Sequence, residues 1–329
     1  MNNNKEEYEQ LEEIGKGEFG KVFKAINKKT KEYVALKRIY RNNKKIKQNV
    51  KYFEDALNRE LEYMKKCKCQ NIVSVYGRID DKDSYVIVME LCDVSLYKYI
   101  EDEIKRPLSI EEIYDIFSNL NNAFKKMQEY EIVHRDLKIE NIILKFTNKE
   151  KTKFIPKICD FDFSKKIEDD LTNTICGSEK SMAPEIIKGP YNSKVDLWSI
   201  GIMIYYCCFR EYANKYNLSN LKKNKKVRYI KNIFLDDLIE KLLVVEPNDR
   251  ISWEGYFKHP FFTLSFFKEI DFGFKNDNLH YYKAKFKEDE NKYKNVLIKE
   301  MILNNLITEF KDYDSDKHYK FKFLDKKIF

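Results

Sequence analysis

The sequence predicts an α+β protein of two lobes: a small antiparallel β-sheet lobe carrying one helix, then a larger, mainly helical lobe. Three observations predict it. Short apolar and β-branched runs at residues 8–15, 20–27, 33–39, 72–79 and 85–90 are closed by glycine or by Asn, Asp, Lys and Thr turns. One helical pattern interrupts them at 50–67, where Phe53, Leu57, Leu61 and Met64 recur at three- and four-residue spacing. Beyond Asp93 that spacing dominates, clearest at 96–100, 110–130, 195–209 and 235–245.

Taken in order, the first two strands flank a glycine-rich turn, and the third runs into the Lys- and Asn-rich stretch 41–51. The turn Asp80-Asp81-Lys82-Asp83 separates the fourth strand from the fifth. Short strands are expected again at 142–146 and 157–159, inside the helical lobe. A sheet-rich part followed by a helical part implies a cleft between them. The apolar run 200–209 has about half the ~20 residues that a membrane helix needs. It reads as a buried helix, and no transmembrane segment is expected. The main body is bounded as 8–263, with a first lobe of 8–91 and a second of 94–263. Residues 264–329 form a charged extension, expected to be partly helical: Val296, Leu297, Ile298, Met301, Ile302, Leu306, Ile307 and Phe310 make an amphipathic stretch. That stretch would pack back on the main body or dock a partner.

At 329 residues, 43% apolar and 15% aromatic, the chain can bury a sizeable core. Its 62 basic and 54 acidic residues leave a net charge of +8 on a mixed surface. A nucleic-acid binder concentrates such an excess in one basic stripe, so no nucleic-acid partner is expected. Seven cysteines and four histidines (His134, His259, His280, His318) show no metal-ligand spacing. They read as reduced thiols in the cytoplasm, with the nucleus also open. The beginning, MNNNKEEYEQ, is polar and acidic and carries no secretory pattern.

Chemistry enters with IGKGEFGKV at 14–22, where Gly15, Gly17 and Gly20 are spaced G-x-G-x-x-G. Glycines let backbone N–H groups approach phosphate oxygens that a Cβ would hold away. A dinucleotide-binding fold shares this spacing, but needs a helix next, and residues 21–27 read as a strand. Lys37 follows in VALK, at the end of another strand. The decisive string is HRDLKIEN, 134–141. There Asp136 would accept the proton of an incoming hydroxyl, Lys138 would neutralise charge on a transferred phosphoryl group, and Asn141 would hold Mg²⁺. In KICDFDFSK, Asp160 offers a second carboxylate to the metal. SMAPE follows with Ala183-Pro184-Glu185, then KVDLWSIGIM with Asp196, and then EPNDRISWEGYFKHPFF with Arg250.

These strings, in this order, resemble the eukaryotic protein-kinase catalytic domain over roughly residues 8–263. The resemblance implies a bilobal fold, ATP and Mg²⁺ as cofactors, and protein substrates. It implies that Lys37 contacts the α- and β-phosphates and pairs with Glu60. Ile14, Val22, Ala35 and Ile143 would sandwich the adenine, Met89 would stand beside it, and backbone groups of Glu90 and Cys92 would hydrogen-bond it. Met64, Tyr76, His134 and Phe161 fall where the family stacks four side chains between lobes, and Glu185 and Arg250 match its buried ion pair. Lys138 and the segment CGSEKSMAPE look like the serine/threonine type, with Ser178 contacting the catalytic Asp and Lys. Arg135 before Asp136 implies activation by an upstream kinase through a loop phosphate, with Thr174 the best-placed acceptor and Thr172 the second. CDVSLYKYI and DRISWEGYFKHPFF look somewhat like the autophagy-initiating kinases, and more loosely like calcium/calmodulin-regulated ones.

The pattern is departed from at three places. Asp162 stands where the family has glycine after Asp-Phe, which predicts altered regulation and leaves open a pseudokinase scaffold that binds nucleotide with little transfer. Residues 178–181 read SEKS instead of a Thr-Pro-x-Tyr arrangement. After Phe209 the usual Pro-Phe element is missing, and a basic run appears: Lys222, Lys223, Lys225, Lys226, Arg228 and Lys231. That run is a solvated face or a dock for acidic substrates.

Overall fold

A computed structural model of the protein describes residues 7–17, 20–161, 164–166, 177–187, 189, 191–213, 230, 232–263, 267–273, 281–286, 307–312 and 319–323. Thr172, Thr174, Asp162, the basic run from Lys222 to Lys231 and the stretch from Val296 to Leu306 lie outside the described residues. The chain divides into two compact units, Met1–Lys225 with Leu242–Arg250, and Lys226–Lys241 with Ile251–Phe329.

The first unit opens with a five-stranded antiparallel sheet of order β1-β2-β3-β5-β4. Its strands are β1 (Tyr8–Lys16), β2 (Gly20–Asn27), β3 (Tyr33–Tyr40), β4 (Val75–Asp80) and β5 (Ser84–Glu90). The β2–β3 turn forms because the Asn27 carboxamide accepts from the amides of Lys29 and Thr30, at 2.9 and 3.1 Å. Alternation along β5 then divides the core. Val86 and Val88 join Ala25, Val34, Leu36 and Ile79 on one face. Tyr85 and Ile87 join Ile39 on the other, under Ile46 of α1 (Lys44–Gln48) and Leu57 and Leu61 of α2 (Val50–Lys66). β5 is apolar on both sides because it is covered on both.

The helical part of this unit is built on α4 (Ile110–Glu129) and α5 (Lys194–Phe209), with the short α3 (Leu96–Lys98) before them. Ser109 and Glu112 form a capping box at the start of α4, and Arg106 clamps Glu112 at 2.7 and 2.8 Å. α5 is buried nearly all round, which is why its sequence is a continuous apolar run. No described helix is long and apolar enough to cross a membrane. A small sheet joins β6 (Val94–Ser95), β8 (Ile142–Phe146) and β9 (Phe154–Ile158), and β7 (Ile132–Val133) pairs with β10 (Lys165–Lys166). The expected ion pair forms within this unit: Arg250 donates to both Glu185 oxygens at 2.6 and 3.0 Å, with its side chain fully buried.

The second unit contains most of α6 (Ile233–Leu242), then α7 (Trp253–Phe257), α8 (Pro260–Thr263) and a four-stranded antiparallel sheet. That sheet comprises β11 (Phe267–Gly273), β12 (Tyr281–Phe286), β13 (Ile307–Asp312) and β14 (Tyr319–Phe323), in the order β11-β12-β14-β13. Of the expected amphipathic stretch, only Ile307 and Phe310 fall among the described residues, and they stand in β13, paired with Phe323 and Phe321. At these two residues strand pairing with β14 prevails over the helical three-residue spacing.

Candidate active site

The glycine turn between β1 and β2 is closed by the Gly17 amide donating to the Gly20 carbonyl, at 2.9 Å. A Cβ on Gly20 would fall 1.9 Å from the Arg38 carbonyl oxygen, so only glycine lets β2 lie that close to β3. Ile14 at the end of β1 is 38% exposed. Val22 lies opposite Lys37, and Ala35 lies opposite Met89 of β5. Ile143 sits in β8 opposite Ser95. Cys92 is half-buried in the segment that leaves β5, and burial pushes its thiol up to about 12.

Lys37 on β3 joins two distant carboxylates. Its Nζ is 3.2 Å from Glu60 of α2, which is only 3% exposed, and 2.5 Å from Asp160 after β9. The three residues come from sheet, helix and loop, and their meeting defines the inner wall of the site.

The second group centres on Asp136. Its Oδ2 accepts from Lys138 Nζ at 2.6 Å, and its Oδ1 accepts the Ser178 amide at 2.8 Å. Lys138 also donates to Ser178 Oγ at 2.8 Å. The Asn141 amide nitrogen donates to the Asp136 carbonyl and carboxylate, at 3.0 and 3.3 Å. Its amide oxygen therefore remains as the donor for a cation, and with the Asp160 carboxylate it makes the hard-oxygen pair that Mg²⁺ prefers.

The loop is held from beneath. The fully buried Asp196 accepts the amides of His134 and Arg135, at 2.8 and 2.9 Å. Arg135 and Asp160 both have φ of 66°, a left-handed backbone conformation that side chains other than glycine seldom adopt. Such strain, about 1–3 kcal/mol per residue, persists only where surroundings impose it. His134 packs on Phe161 with ring centroids 4.7 Å apart and planes tilted by 56°. Burial lowers its pKa, and its contacts agree with a neutral ring: Nδ1 accepts the Asp136 amide at 3.4 Å, and Nε2 faces the Cys159 carbonyl at 3.3 Å.

The expected stack needs one correction. Met64, His134 and Phe161 are buried, but Tyr76 is 56% exposed. The β4–β5 register shifts between Val75 and Gly77, which turns Tyr76 outward, and Val75 packs on the α2 core instead. A bulge of this kind leaves no mark in the sequence beyond a choice between neighbouring apolar residues. Sequence reasoning also missed three participants. The Glu90 side chain is bound by Lys145 and Lys157. Gly177 packs against Arg135. The Tyr191 hydroxyl accepts from Arg135 at 3.0 Å.

A strand-borne lysine paired to a helix glutamate, together with a loop Asp-Lys-Asn set, defines a phosphoryl-transfer site of the protein-kinase type. The chain matches the protein kinase domain over residues 8–262. It belongs to the eukaryotic protein kinase family, in its serine/threonine branch. It is 35% identical over 271 residues to the serine/threonine-protein kinase atg1 of Dictyostelium discoideum, covering 77% of this chain and 38% of that protein. It is 30% identical over 268 residues to the serine/threonine-protein kinase TIO of Arabidopsis thaliana, covering 78% and 19%. It is 31% identical over 266 residues to the NUAK family SNF1-like kinase 1 of Homo sapiens, covering 78% and 38%. The chain thus spans about a fifth to two fifths of the length of these relatives.

Proposed function

We propose that the chain is an active protein kinase that transfers the γ-phosphoryl group of ATP to serine or threonine hydroxyls of protein substrates. The observation that carries this reading is the Asp136 carboxylate, held by Lys138 on one oxygen and by the Ser178 amide on the other. In that grip it can take the proton of a substrate hydroxyl as the oxygen attacks phosphorus. The bond from the γ-phosphorus to the bridging oxygen breaks, and ADP leaves with the electron pair. Lys138 stabilises negative charge on the moving group, and Lys37, steadied by Glu60, holds the α- and β-phosphates. Asn141 and Asp160 are the residues that would hold Mg²⁺. When bound, Mg²⁺ supplies positive charge against the phosphate oxygens. A phosphate on Thr174, or on Thr172, added by an upstream kinase, would recruit Arg135 from Tyr191 and order the substrate-receiving loop. The buried thiols of Cys67 and Cys207, neither of them in a disulfide, support a reducing compartment, cytoplasmic or nuclear.

The test is transfer from Mg-ATP to a generic basic protein, run beside an Asp136→Asn variant and followed by phosphosite mapping. Transfer to Ser or Thr that vanishes in the variant supports the reading. ATP binding without transfer, even after treatment with an upstream kinase, would instead make the protein a nucleotide-binding scaffold.

A further inference from the structure

Residues 90–93 link β5 to β6, and their backbone is tied down at both ends. At one end the Glu90 carboxylate lies buried between two ammonium groups. Lys145 of β8 reaches Oε1 at 2.6 Å, and Lys157 of β9 reaches Oε2 at 3.1 Å. The Ser74 amide also donates to Oε2 at 3.3 Å, and the Glu90 amide returns a bond to the Ser74 carbonyl at 2.8 Å. Lys157 extends the tie, because its Nζ also donates to the Gln70 carbonyl at 2.7 Å, in the turn that follows α2. At the other end the Asp93 amide donates to the Leu144 carbonyl at 2.9 Å, and its carboxylate accepts the Phe146 amide at 2.7 Å. Burial alone would push the Glu90 carboxyl upward, but the two lysines outweigh it and hold it below the ordinary carboxylate range.

A buried carboxylate with two cations and an amide is a costly arrangement to build, and a simple surface crossover does not need one. Its elements are β5, the β8–β9 hairpin and the turn behind α2. Cys92 is suspended between the two ties. Building on the kinase reading, we infer that Glu90 is a positioning residue for the nucleotide: with Lys145 and Lys157 it sets the backbone groups of residues 90–92 at the height at which they meet the adenine. The same clamp connects that segment to the turn after α2, the helix that carries Glu60.

The experiment is a double-mutant cycle on the full chain, with Glu90→Gln, Lys145→Met and the pair together. The readouts are the Kd for ATP by calorimetry, KM against kcat in transfer, and hydrogen exchange across residues 90–93. Glu90→Gln keeps the shape and removes the charge, and should weaken ATP binding about tenfold, as loss of a charged hydrogen bond does. Lys145→Met should weaken it about threefold, because that side chain is 43% exposed. Its kcat should stay within twofold and exchange in 90–93 should speed up, and Lys145→Arg should restore both the slow exchange and the ATP affinity. The double variant should be no weaker than Glu90→Gln alone, since the two groups act through one contact. Losses that multiply, or unchanged ATP affinity in correctly folded single variants, would overturn the proposal. Should Glu90→Gln fail to fold, Lys145→Met and its arginine rescue decide the matter. Wild-type protein that binds ATP but transfers nothing would sink the kinase reading, and the Kd comparison would still judge the clamp.

Discussion

Gly177 offers a sharp test of how the catalytic loop is held. Its φ is +97°, and a Cβ there would stand 2.5 Å from the Arg135 carbonyl oxygen and 3.6 Å from Asp136 Oδ1. An ordinary contact begins at 3.4 Å, so Gly177→Ala must open the gap by about 0.9 Å. Arg135 cannot easily yield, since Asp196 holds its amide and its own φ is already 66°. The movement therefore falls on the 177–178 backbone, whose Ser178 amide grips Asp136 at 2.8 Å. Positive φ at alanine costs about 1–2 kcal/mol, and a drop of roughly 4–8 °C in Tm would accompany about 2 kcal/mol. Activity should suffer far more, because a misplacement of ~1 Å at the reacting groups can cost about 100-fold. The assay is kcat with a serine peptide, run beside ATP affinity and a thermal melt. We expect kcat to fall about 100-fold with ATP affinity within about threefold, since nothing at Lys37 or Glu60 moves. Turnover within about threefold of wild type would refute the claim that the Ser178 amide positions Asp136.

Three further outcomes follow from the geometry. Arg250→Met strands the buried Glu185 carboxylate and should cost ~3–5 kcal/mol in denaturant unfolding, whereas Arg250→Met with Glu185→Leu should recover most of that loss. Burial lowers the pKa of both His134 and His259 below the ordinary 6.5, so the unfolded chain takes up more protons as pH falls beneath that value. Stability should therefore be fully present above about pH 6.5 and fall towards pH 5, by at most about 1.4 kcal/mol per pH unit for each histidine, as read from urea midpoints. Val75→Ala should lower stability by about 1 kcal/mol through lost packing on the α2 core, while Tyr76→Ala stays within about 0.5 kcal/mol; the reverse order would mean that the bulge in β4 is misplaced.

What could be read from the chain alone divides by the range of the signal. Strand and helix periods need only near neighbours, so the five-stranded sheet and the apolar α5 were legible in the residue pattern itself. HRDLKIEN was legible for another reason. Asp136, Lys138 and Asn141 share one short string, and local backbone geometry carries them to one place. Lys37 and Asp160 are 123 residues apart, and their contact could be expected only from the resemblance to a family. The end of the amphipathic stretch meets the same boundary: Ile307 and Phe310 have a helical three-residue spacing, and only pairing with β14 makes them strand.

The Glu90 clamp belongs to a third kind, with no local signal at all. The sequence singles out Glu90 only for its backbone, and its side chain, like a lysine in β8 and a lysine in β9, is ordinary in sequence. Tertiary placement buries Glu90 and Lys157 together beside the more exposed Lys145, and low dielectric there strengthens each contact and penalises each missing one. On the proposed reading, the string HRDLKIEN indicates which atoms react. It would not indicate what holds the nucleotide above them, because the proposed clamp is made of residues whose chemistry is generic and whose positions are not. Lys37 depends on Glu60, and α2 shares with residues 90–93 the turn that Lys157 grips through Gln70. A displacement of α2 should therefore register at the adenine as well as at the phosphates, and the exchange rate across 90–93 is where it would be seen.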